Sequence, residues 1–171
     1  MSHPLYEKHK ATLEAGLKAF GERSYWSAYN EMPSPKVYGE EAPAAGKQTF
    51  DDLLGKQFEL DQPGSSGWQG SEKSPCGIEL NVQYPACDVD TLVAAAEKAM
   101  ESWQALGLEG RTGVCLEMLE RLNKQSFEIA HAVMQTTGQG WMMAFQAGSP
   151  HEQDRGLESV VAAHPVQKLS A

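Results

Sequence analysis

The region from Asp88 to Gly138 constrains the fold most strongly, because apolar residues recur there at helical spacing through successive segments. Asp88 suits a helix N-cap, since its carboxylate can accept hydrogen bonds from the free N–H groups of the first turn. An apolar stripe follows, and Gly107 marks its predicted end. We expect this stripe to be buried in the core: Val89, Leu92, Val93, Ala96, Met100, Trp103 and Leu106.

Further helices are predicted after this one. The next covers about residues 109–122, and a third covers about 126–135, ahead of the break at Thr136-Thr137-Gly138. The apolar group at 141–145 predicts another buried turn, and residues 150–161 predict a last helix. The apolar side of the helix at 109–122 holds Val114, Cys115, Met118, Leu119 and Leu122.

The first half of the chain is less regular. Residues 5–20 have the pattern of an amphipathic helix, with Pro4 in its first turn and Gly21 as a left-handed stop. A Pro-rich connector follows at residues 32–36, where regular helix or central strand is excluded. A short helix ending at Gly55 is marked by Phe50, Leu53 and Leu54.

The β signal is confined to one short run. Residues 61–74 contain three glycines and a proline, which predicts a long surface loop. Residues 77–84 then alternate between apolar and polar at period two, which predicts a half-buried strand. The predicted fold class is therefore mainly α with a small β element.

Composition excludes several functional classes. The net charge is -9, and no run of lysine and arginine offers a surface for nucleic acid or an anionic membrane. No apolar run approaches the roughly 20 residues of a membrane-spanning helix. The start has no basic segment followed by an apolar one, so we expect no secretory signal and a cytoplasmic protein. An odd set of three cysteines favours reduced thiols.

Cys115 is the first candidate for catalysis, because a thiolate can act as a nucleophile. Such a thiol needs an accessible, electropositive setting that lowers its pKa. Cys115 instead lies in mid-helix between Val114 and Leu116, on the predicted core side. We interpret it as a packing residue.

Two polar groups invite a catalytic or metal-binding interpretation. Glu128, His131 and Gln135 fall in one arc of the third helix, and a solvated face explains all three. The set His151, Glu152 and Asp154 offers metal ligands, but two or three ligands at ordinary spacing are a weak signal. An exposed, charged helix start explains this second group, because acidic residues are favourable at that end of the helix dipole.

Nucleotide-binding motifs are missing from the sequence. No G-x-G-x-x-G turn follows a strand, and no lysine follows a phosphate-binding glycine loop. The glycine-rich stretch 61–70 has no helix directly after it to hold a phosphate. The sequence thus predicts no catalytic, cofactor-binding or metal-binding residue in this chain.

The chain nevertheless resembles a known superfamily. One set of motifs consists of Asp88 to Ala96, Trp103, Arg111, Glu128 to Ala130 and Thr136 to Gln139. In this order, they resemble the opening helices of the aldehyde dehydrogenase superfamily. A second set of longer runs consists of Ser2 to Leu5, Pro33 to Glu40, Glu59 to Gly64, Ser126 to Met134 and Met142 to Gly148. These runs resemble the phenylacetic acid degradation branch of that superfamily, PaaN.

The resemblance implies the N-terminal part of the aldehyde dehydrogenase α/β fold, without the complete Rossmann and catalytic domains. It implies PaaN-type helices and Pro/Gly-rich loops in residues 1–75, and a strand with the first helices of a dehydrogenase-like domain in 76–158. Residues 159–171 form an unmatched tail. The parent uses NAD or NADP to oxidise an aldehyde in phenylacetate catabolism, with a cysteine nucleophile and a glutamate base. No position here matches those motifs, so we expect a fragment truncated before the catalytic core.

Two functions stay open at this point. The chain is the N-terminal part of such a dehydrogenase and is inactive alone, or it is a free-standing helical interaction or binding module. In the first case, helices without their partners leave apolar surface in water, and self-association is expected. The runs 118–122 and 141–145 are the expected exposed stretches.

Overall fold

The computed structural model describes residues 2–169, and it is mainly helical with one small sheet, as predicted. The helices of the first half are α1 (Pro4–Glu22), α2 (Pro35–Tyr38) and α3 (Ala42–Leu53). The two strands are β1 (Ser65–Gln69) and β2 (Tyr84–Cys87). The helices of the second half are α4 (Val89–Ala105), α5 (Gly107–Lys124), α6 (Ser126–Thr137), α7 (Trp141–Gly148) and α8 (Pro150–Leu169).

One hydrophobic core lies where α1, α5 and α8 meet. Gly113 of α5 allows the closest approach, since an added Cβ there would lie 2.5 Å from the backbone nitrogen of Tyr6. A side chain at this point would push the two helices apart. The buried members of this core are Leu13, Tyr29, Leu116, Leu157 and Val161.

A second core joins α3, α6 and α7 and is largely aromatic. The Phe127 and Phe145 rings have centroids 5.1 Å apart, and Tyr38 meets Phe145 edge-on at 5.5 Å. Phe145 is fully buried. Such edge-to-face and tilted pairs add to the free energy gained from burial alone. Within residues 2–169, every buried side-chain nitrogen and oxygen has a hydrogen-bond partner.

Helix ends differ from prediction where tertiary contacts outweigh local signals. Gly21 is not the stop of α1: the helix continues to Glu22, and Arg23 takes the left-handed conformation with φ 53°. Gly107 does not simply end α4, because it starts α5 with φ 66°. The last helix runs on to Leu169 instead of ending near 161, and in the predicted tail it buries Val161 and His164. Residues 170 and 171 of that tail lie outside the described range.

The β prediction is wrong in position. Residues 77–84 are not a continuous strand, because Asn81 adopts a left-handed φ of 48° and interrupts it. Leu80 and Val82 on either side are still buried. The alternating pattern therefore reflects the burial of these side chains and not the hydrogen bonding of a β-strand. The predicted loop 61–74 instead contains β1, which pairs antiparallel with β2 across Ser65–Cys87 and Gln69–Tyr84.

The apolar side predicted for α5 is also displaced. Leu116 is the deepest side chain of α5, whereas Met118 and Leu122 are 58% and 42% exposed. The helix contacts α1 on one side and α8 on another, and this brings the small residues Gly110, Thr112 and Gly113 into the interface. None of the helices in the described range is long and apolar enough to cross a membrane.

Candidate functional site

Cys115 lies half-buried in the middle of α5. A nucleophilic thiol needs a base within hydrogen-bonding distance. Among residues 2–169, no hydrogen bond joins Cys76, Cys87 or Cys115 to a histidine or a carboxylate. The Cys87 thiol interacts instead with the Gln62 amide, 3.2 Å away, and with the carbonyl of Pro85. The described thiols therefore lack an activated nucleophile arrangement.

The predicted solvated face of α6 is wrong. His131 is half-buried between two aromatic rings, with its centroid 4.4 Å from Trp141 and 6.0 Å from Phe50. Gln135 accepts a 2.8 Å hydrogen bond from the Ser74 hydroxyl. The face is covered because α3 packs on α6, a contact that the helical period of α6 cannot reveal.

Burial of this face changes the acidity of its two titratable groups. Desolvation is the main cause that lowers the pKa of His131, and the charge of Lys47 lowers it further while Asp51 opposes. Desolvation also raises the pKa of Glu128. Perturbed groups of this kind often mark functional sites. Within the described contacts, however, no hydrogen bond joins Glu128 to His131, so they form no acid–base pair.

The second polar group behaves largely as the exposed helix start that was predicted. His151 and Glu152 are exposed at the beginning of α8. His151 Nε2 lies 3.3 Å from a Glu31 carboxylate oxygen. Asp154 is half-buried and accepts a 2.6 Å hydrogen bond from the Ser27 hydroxyl. His151 and Asp154 thus each have a protein partner. Within the described range, His151, Glu152 and Asp154 do not form a cluster of possible metal ligands.

A histidine–carboxylate cluster that the sequence did not indicate lies between α1 and α5. His9 is buried, and its Nε2 lies 2.8 Å from Glu117 while its Nδ1 lies 3.6 Å from Glu120. These three residues have the composition of a metal site, with ligand atoms within 4.8 Å of one another. Lys8 Nζ already contacts the two carboxylates at 2.6 and 3.0 Å. An ammonium group therefore occupies the position that a cation would take.

The charges of this cluster stabilise one another. Hydrogen bonds from Lys8, Arg121 and His9 hold the pKa of Glu117 far below its usual range. Hydrogen bonds to Glu117 and Glu120 raise the pKa of Lys8. We interpret the cluster as an ion-pair network that joins two helices. Only the packing of α1 on α5 brings its members together, so no local sequence signal identifies it.

An open groove of about 910 Å³ runs between the end of α1 and the start of α8. Its apolar floor and walls include Phe20, Trp26 and Val161, and several of its charged residues are paired with each other. Burial, with the charges of Asp154 and Glu120, raises the pKa of the nearby Tyr29 to about 12. The groove has a concave shape, and its lining includes His151 and the carboxylates of Glu31, Asp154 and Glu158. Each of these groups is engaged with a protein partner: His151 with Glu31, Asp154 with Ser27, and Glu158 with Arg155.

One face of α4 is apolar and exposed. We name it the α4 surface and define it by Val89, Val93, Ala96, Met100 and Trp103. This stripe was predicted to be core, and that prediction is wrong. The four large side chains are 68%, 51%, 55% and 41% exposed in chain order, and Ala96 is also exposed.

The exposure of the α4 surface follows from what packs on the helix. Leu92 and Ala95 are half-buried, and none of the helix's residues is fully buried. Helical periodicity correctly identified which face is apolar. It could not identify whether anything covers that face. An apolar stripe left in water at this spacing is typical of an interaction surface.

Comparison with known proteins gives one informative match. No protein-family model and no curated protein matches the chain. The chain is similar to the crystal structure of NAD-dependent aldehyde dehydrogenase from Burkholderia multivorans, with 52% sequence identity and a TM-score of 0.94. The match covers 98% of this chain and 30% of that chain, so this chain spans under a third of that enzyme. Agreement in both sequence and fold supports a relation to part of an aldehyde dehydrogenase.

Proposed function

We propose that this chain supplies the N-terminal structural part of an NAD(P)-dependent aldehyde dehydrogenase of phenylacetate degradation, and that it is inactive on its own. The observation that carries the proposal is the 52% identity to an NAD-dependent aldehyde dehydrogenase across 98% of this chain. The phenylacetate assignment has separate support in the PaaN-type runs, such as Pro33 to Glu40 and Met142 to Gly148.

The chemistry explains why the chain alone is expected to be inactive. Oxidation of an aldehyde to an acid transfers a hydride from the carbonyl carbon to the nicotinamide and adds an oxygen from water. A covalent route requires an activated nucleophile and a bound dinucleotide. The described thiols have no basic partner. The described sheet has two antiparallel strands, whereas a dinucleotide fold needs parallel strands joined by helices.

A cofactor titration tests the inactivity. NAD and NADP are titrated into the purified chain by calorimetry, and NADH and NADPH formation are followed with phenylacetaldehyde and aliphatic aldehydes. We expect no saturable binding and no turnover, whereas the Burkholderia multivorans enzyme, as positive control, turns over. Micromolar cofactor binding, or turnover that Cys115→Ala abolishes, would overturn this part of the proposal.

A chimeric enzyme tests the dehydrogenase assignment. In it, this chain replaces the matched segment of the Burkholderia multivorans enzyme. We expect a soluble enzyme with NAD-dependent aldehyde oxidation within about tenfold of the parent, because the two backbones are similar, with 52% identity and a TM-score of 0.94, and cores tolerate volume-conserving substitutions. A soluble, cooperatively folded chimera without any activity would contradict the assignment.

A second candidate function is a helical interaction module, and the completeness of the two cores favours it. Both cores are closed by residues of this chain, and the described buried polar side chains are all partnered. Such a module would use the α4 surface for another protein. The chimera separates the two functions, because a module evolved for another partner would not support dehydrogenase activity there.

Self-association of the isolated chain is proposed for either function. The exposed stripe favours it, while a net charge of -9 on each copy opposes it. Sedimentation across a concentration series is expected to show weak association that grows with added salt, since salt screens the repulsion between copies. A monomer at every concentration and salt level would contradict this.

A further inference from the structure

We propose that the α4 surface is the docking surface for the remainder of an aldehyde dehydrogenase polypeptide, meaning the 70% of the matched enzyme that lies outside the similarity. This inference rests on the proposed function and adds to it the contact surface and its occupant. A second copy of this chain, or an unrelated protein, is an alternative outcome of the test below.

The first observation is that the α4 surface is apolar, like a protein core, but its side chains are exposed to solvent. Val93 and Met100 are each more than half exposed, although they lie on the one face of α4 that has no charged residue. Charged side chains lie elsewhere around the same helix, at Glu97, Lys98 and Glu101. Isolated exposed apolar residues are ordinary, but a contiguous helical stripe of them marks a contact surface.

The second observation is that the surface is preformed. Asp88 caps the start of α4 by accepting a 2.8 Å hydrogen bond from the backbone N–H of Thr91. Gly64 lies against Thr91, and its carbonyl accepts a bond from the Asp88 N–H. At the other end, Arg111 donates to the carbonyl of Gln104. Because both ends are fixed, little ordering remains to oppose binding.

The third observation points to the occupant. The chain keeps the fold of the matched enzyme segment with a TM-score of 0.94, yet that enzyme contains more than twice as much additional polypeptide. The β1–β2 ribbon beside α4 has only two strands, and every residue of β1 is exposed. A two-stranded ribbon is marginally stable in water, and its free edge suits a further strand. Within residues 2–169, the α4 surface and the free edge of β1 lie near each other, and no other element covers them.

A second copy of this chain fits the surface less well. Each copy has a net charge of -9, so association of two copies brings like charges together. The remainder of a dehydrogenase polypeptide does not have to carry the same net charge as this segment. When the two are joined in one chain, the covalent connection also raises the effective concentration of the contact. The observations thus favour the dehydrogenase polypeptide over a homodimer.

Methionine oxidation in the chimera described above tests the location of the contact. The oxidation rate of Met100 by hydrogen peroxide is compared between this chain alone and the chimera, with Met32 in the same molecules as reference. Met32 is 57% exposed and Met100 is 55% exposed, so the two start from similar accessibility. We expect Met100 to react at least tenfold more slowly in the chimera, with Met32 little changed. Equal rates for Met100 in both proteins overturn the proposal.

A matched pair of substitutions tests the face itself. Ala94 and Ala96 are both exposed on α4, but only Ala96 belongs to the α4 surface. We expect Ala96→Glu to make the chimera insoluble or to lower its thermal midpoint, while Ala94→Glu leaves it close to the unaltered chimera. In the isolated chain the two variants should have the same denaturant midpoint, because neither position is packed there.

The outcomes separate this inference from the proposed function. An active chimera in which Ala96→Glu has no more effect than Ala94→Glu rejects the surface and keeps the function. Protection of Met100 in a soluble but inactive chimera keeps the surface and rejects the function.

A larger loss of stability for Ala96→Glu than for Ala94→Glu in the isolated chain also overturns the inference, since the face would then be internally packed. An insoluble unaltered chimera counts against it as well. A homodimer that persists when the chain is part of the chimera assigns the surface to self-association instead.

Discussion

Two regions of this molecule have similar helical patterns and opposite environments. Where α1, α5 and α8 meet, Leu13 and Leu116 are each 1% exposed. On α4, an equally regular apolar stripe stays in water, with Val89 at 68% exposure. The difference lies in the partners, because α5 is enclosed by two helices while α4 has only limited contact with α5. An amphipathic pattern therefore identifies the face that requires a partner, and the rest of the chain decides whether one is present.

The largest effect is expected in the enclosed region. Leu116→Ala should lower the free energy of unfolding by about 2–5 kcal/mol, because it leaves a cavity among α1, α5 and α8. The matched control is Leu122→Ala on the same helix, where the side chain is 42% exposed and the cost should stay below about 1 kcal/mol. Urea unfolding of both variants measures the contrast. Equal losses of unfolding free energy for the two variants would show that Leu116 is not packed in a core.

Two glycine substitutions test the same contrast, because they are expected to change the stability in opposite directions. Gly113→Ala should destabilise by about 1–3 kcal/mol, because the new Cβ meets the backbone of Leu5 and Tyr6 and α1 must shift. Gly21→Ala in α1 meets no atom within 4 Å, and should stabilise by about 0.5–1 kcal/mol through helix propensity. The thermal midpoints of the two variants should therefore shift in opposite directions from that of the parent chain. Similar shifts of one sign would contradict the close approach.

The enclosed region should also be sensitive to acid through His164. Its Nδ1 lies 3.2 Å from the Thr112 hydroxyl, and its ring stacks on Tyr6. Burial, and then the charge of Lys168, lowers the pKa of His164, while Glu109 opposes. The unfolded chain thus takes up the proton first, so stability is complete above about pH 6.5 and falls as the pH drops below that value.

A substitution isolates this contribution. Plots of unfolding free energy against pH from 7.5 to 5.5 are compared for the parent chain and His164→Gln, which keeps a polar side chain near Thr112. The variant should have a shallower slope in this window, although His131, whose pKa is also lowered, still contributes. Identical slopes would show that His164 is not desolvated. The paired carboxylates Glu117 and Glu120 have lowered pKa values and act at lower pH.

Substitution in the uncovered region should have a small effect. Trp103→Ala is expected to cost about 1 kcal/mol in this chain, because the ring is already 41% exposed. A fully buried tryptophan, as a core position for the stripe would require, would cost about 3–5 kcal/mol. Denaturant unfolding decides between these values. A cost in the higher range would mean that α4 packs within this chain and would remove the contrast between the regions.

Local chemistry explains which parts of the fold the sequence could predict. The Asp88 cap and the Gly138 stop act through neighbouring backbone groups, and both are found in the structure. The cluster of Lys8, His9 and Glu117 depends on two helices that are about 100 residues apart in sequence, and no local pattern encodes it.

The candidate surface was predictable in its chemistry and not in its exposure. The apolar stripe of α4 is visible in the sequence at helical spacing, and its residues form the face that was expected. Whether Met100 lies in a core or in water depends on the polypeptide that surrounds the helix. The opposite error occurred on α6, where His131 was expected in water and lies between Phe50 and Trp141.

Hydrogen exchange on the isolated chain measures the contrast between the two regions most directly. Amides of α5 should exchange only with global unfolding, because α1 and α8 enclose that helix. Amides in the middle of α4, from about Ala95 to Ser102, should exchange through local opening, at rates at least tenfold faster and nearly independent of low urea concentrations. Equal protection of α4 and α5, with the same dependence on urea, would contradict the distinction between an enclosed core and an uncovered docking surface.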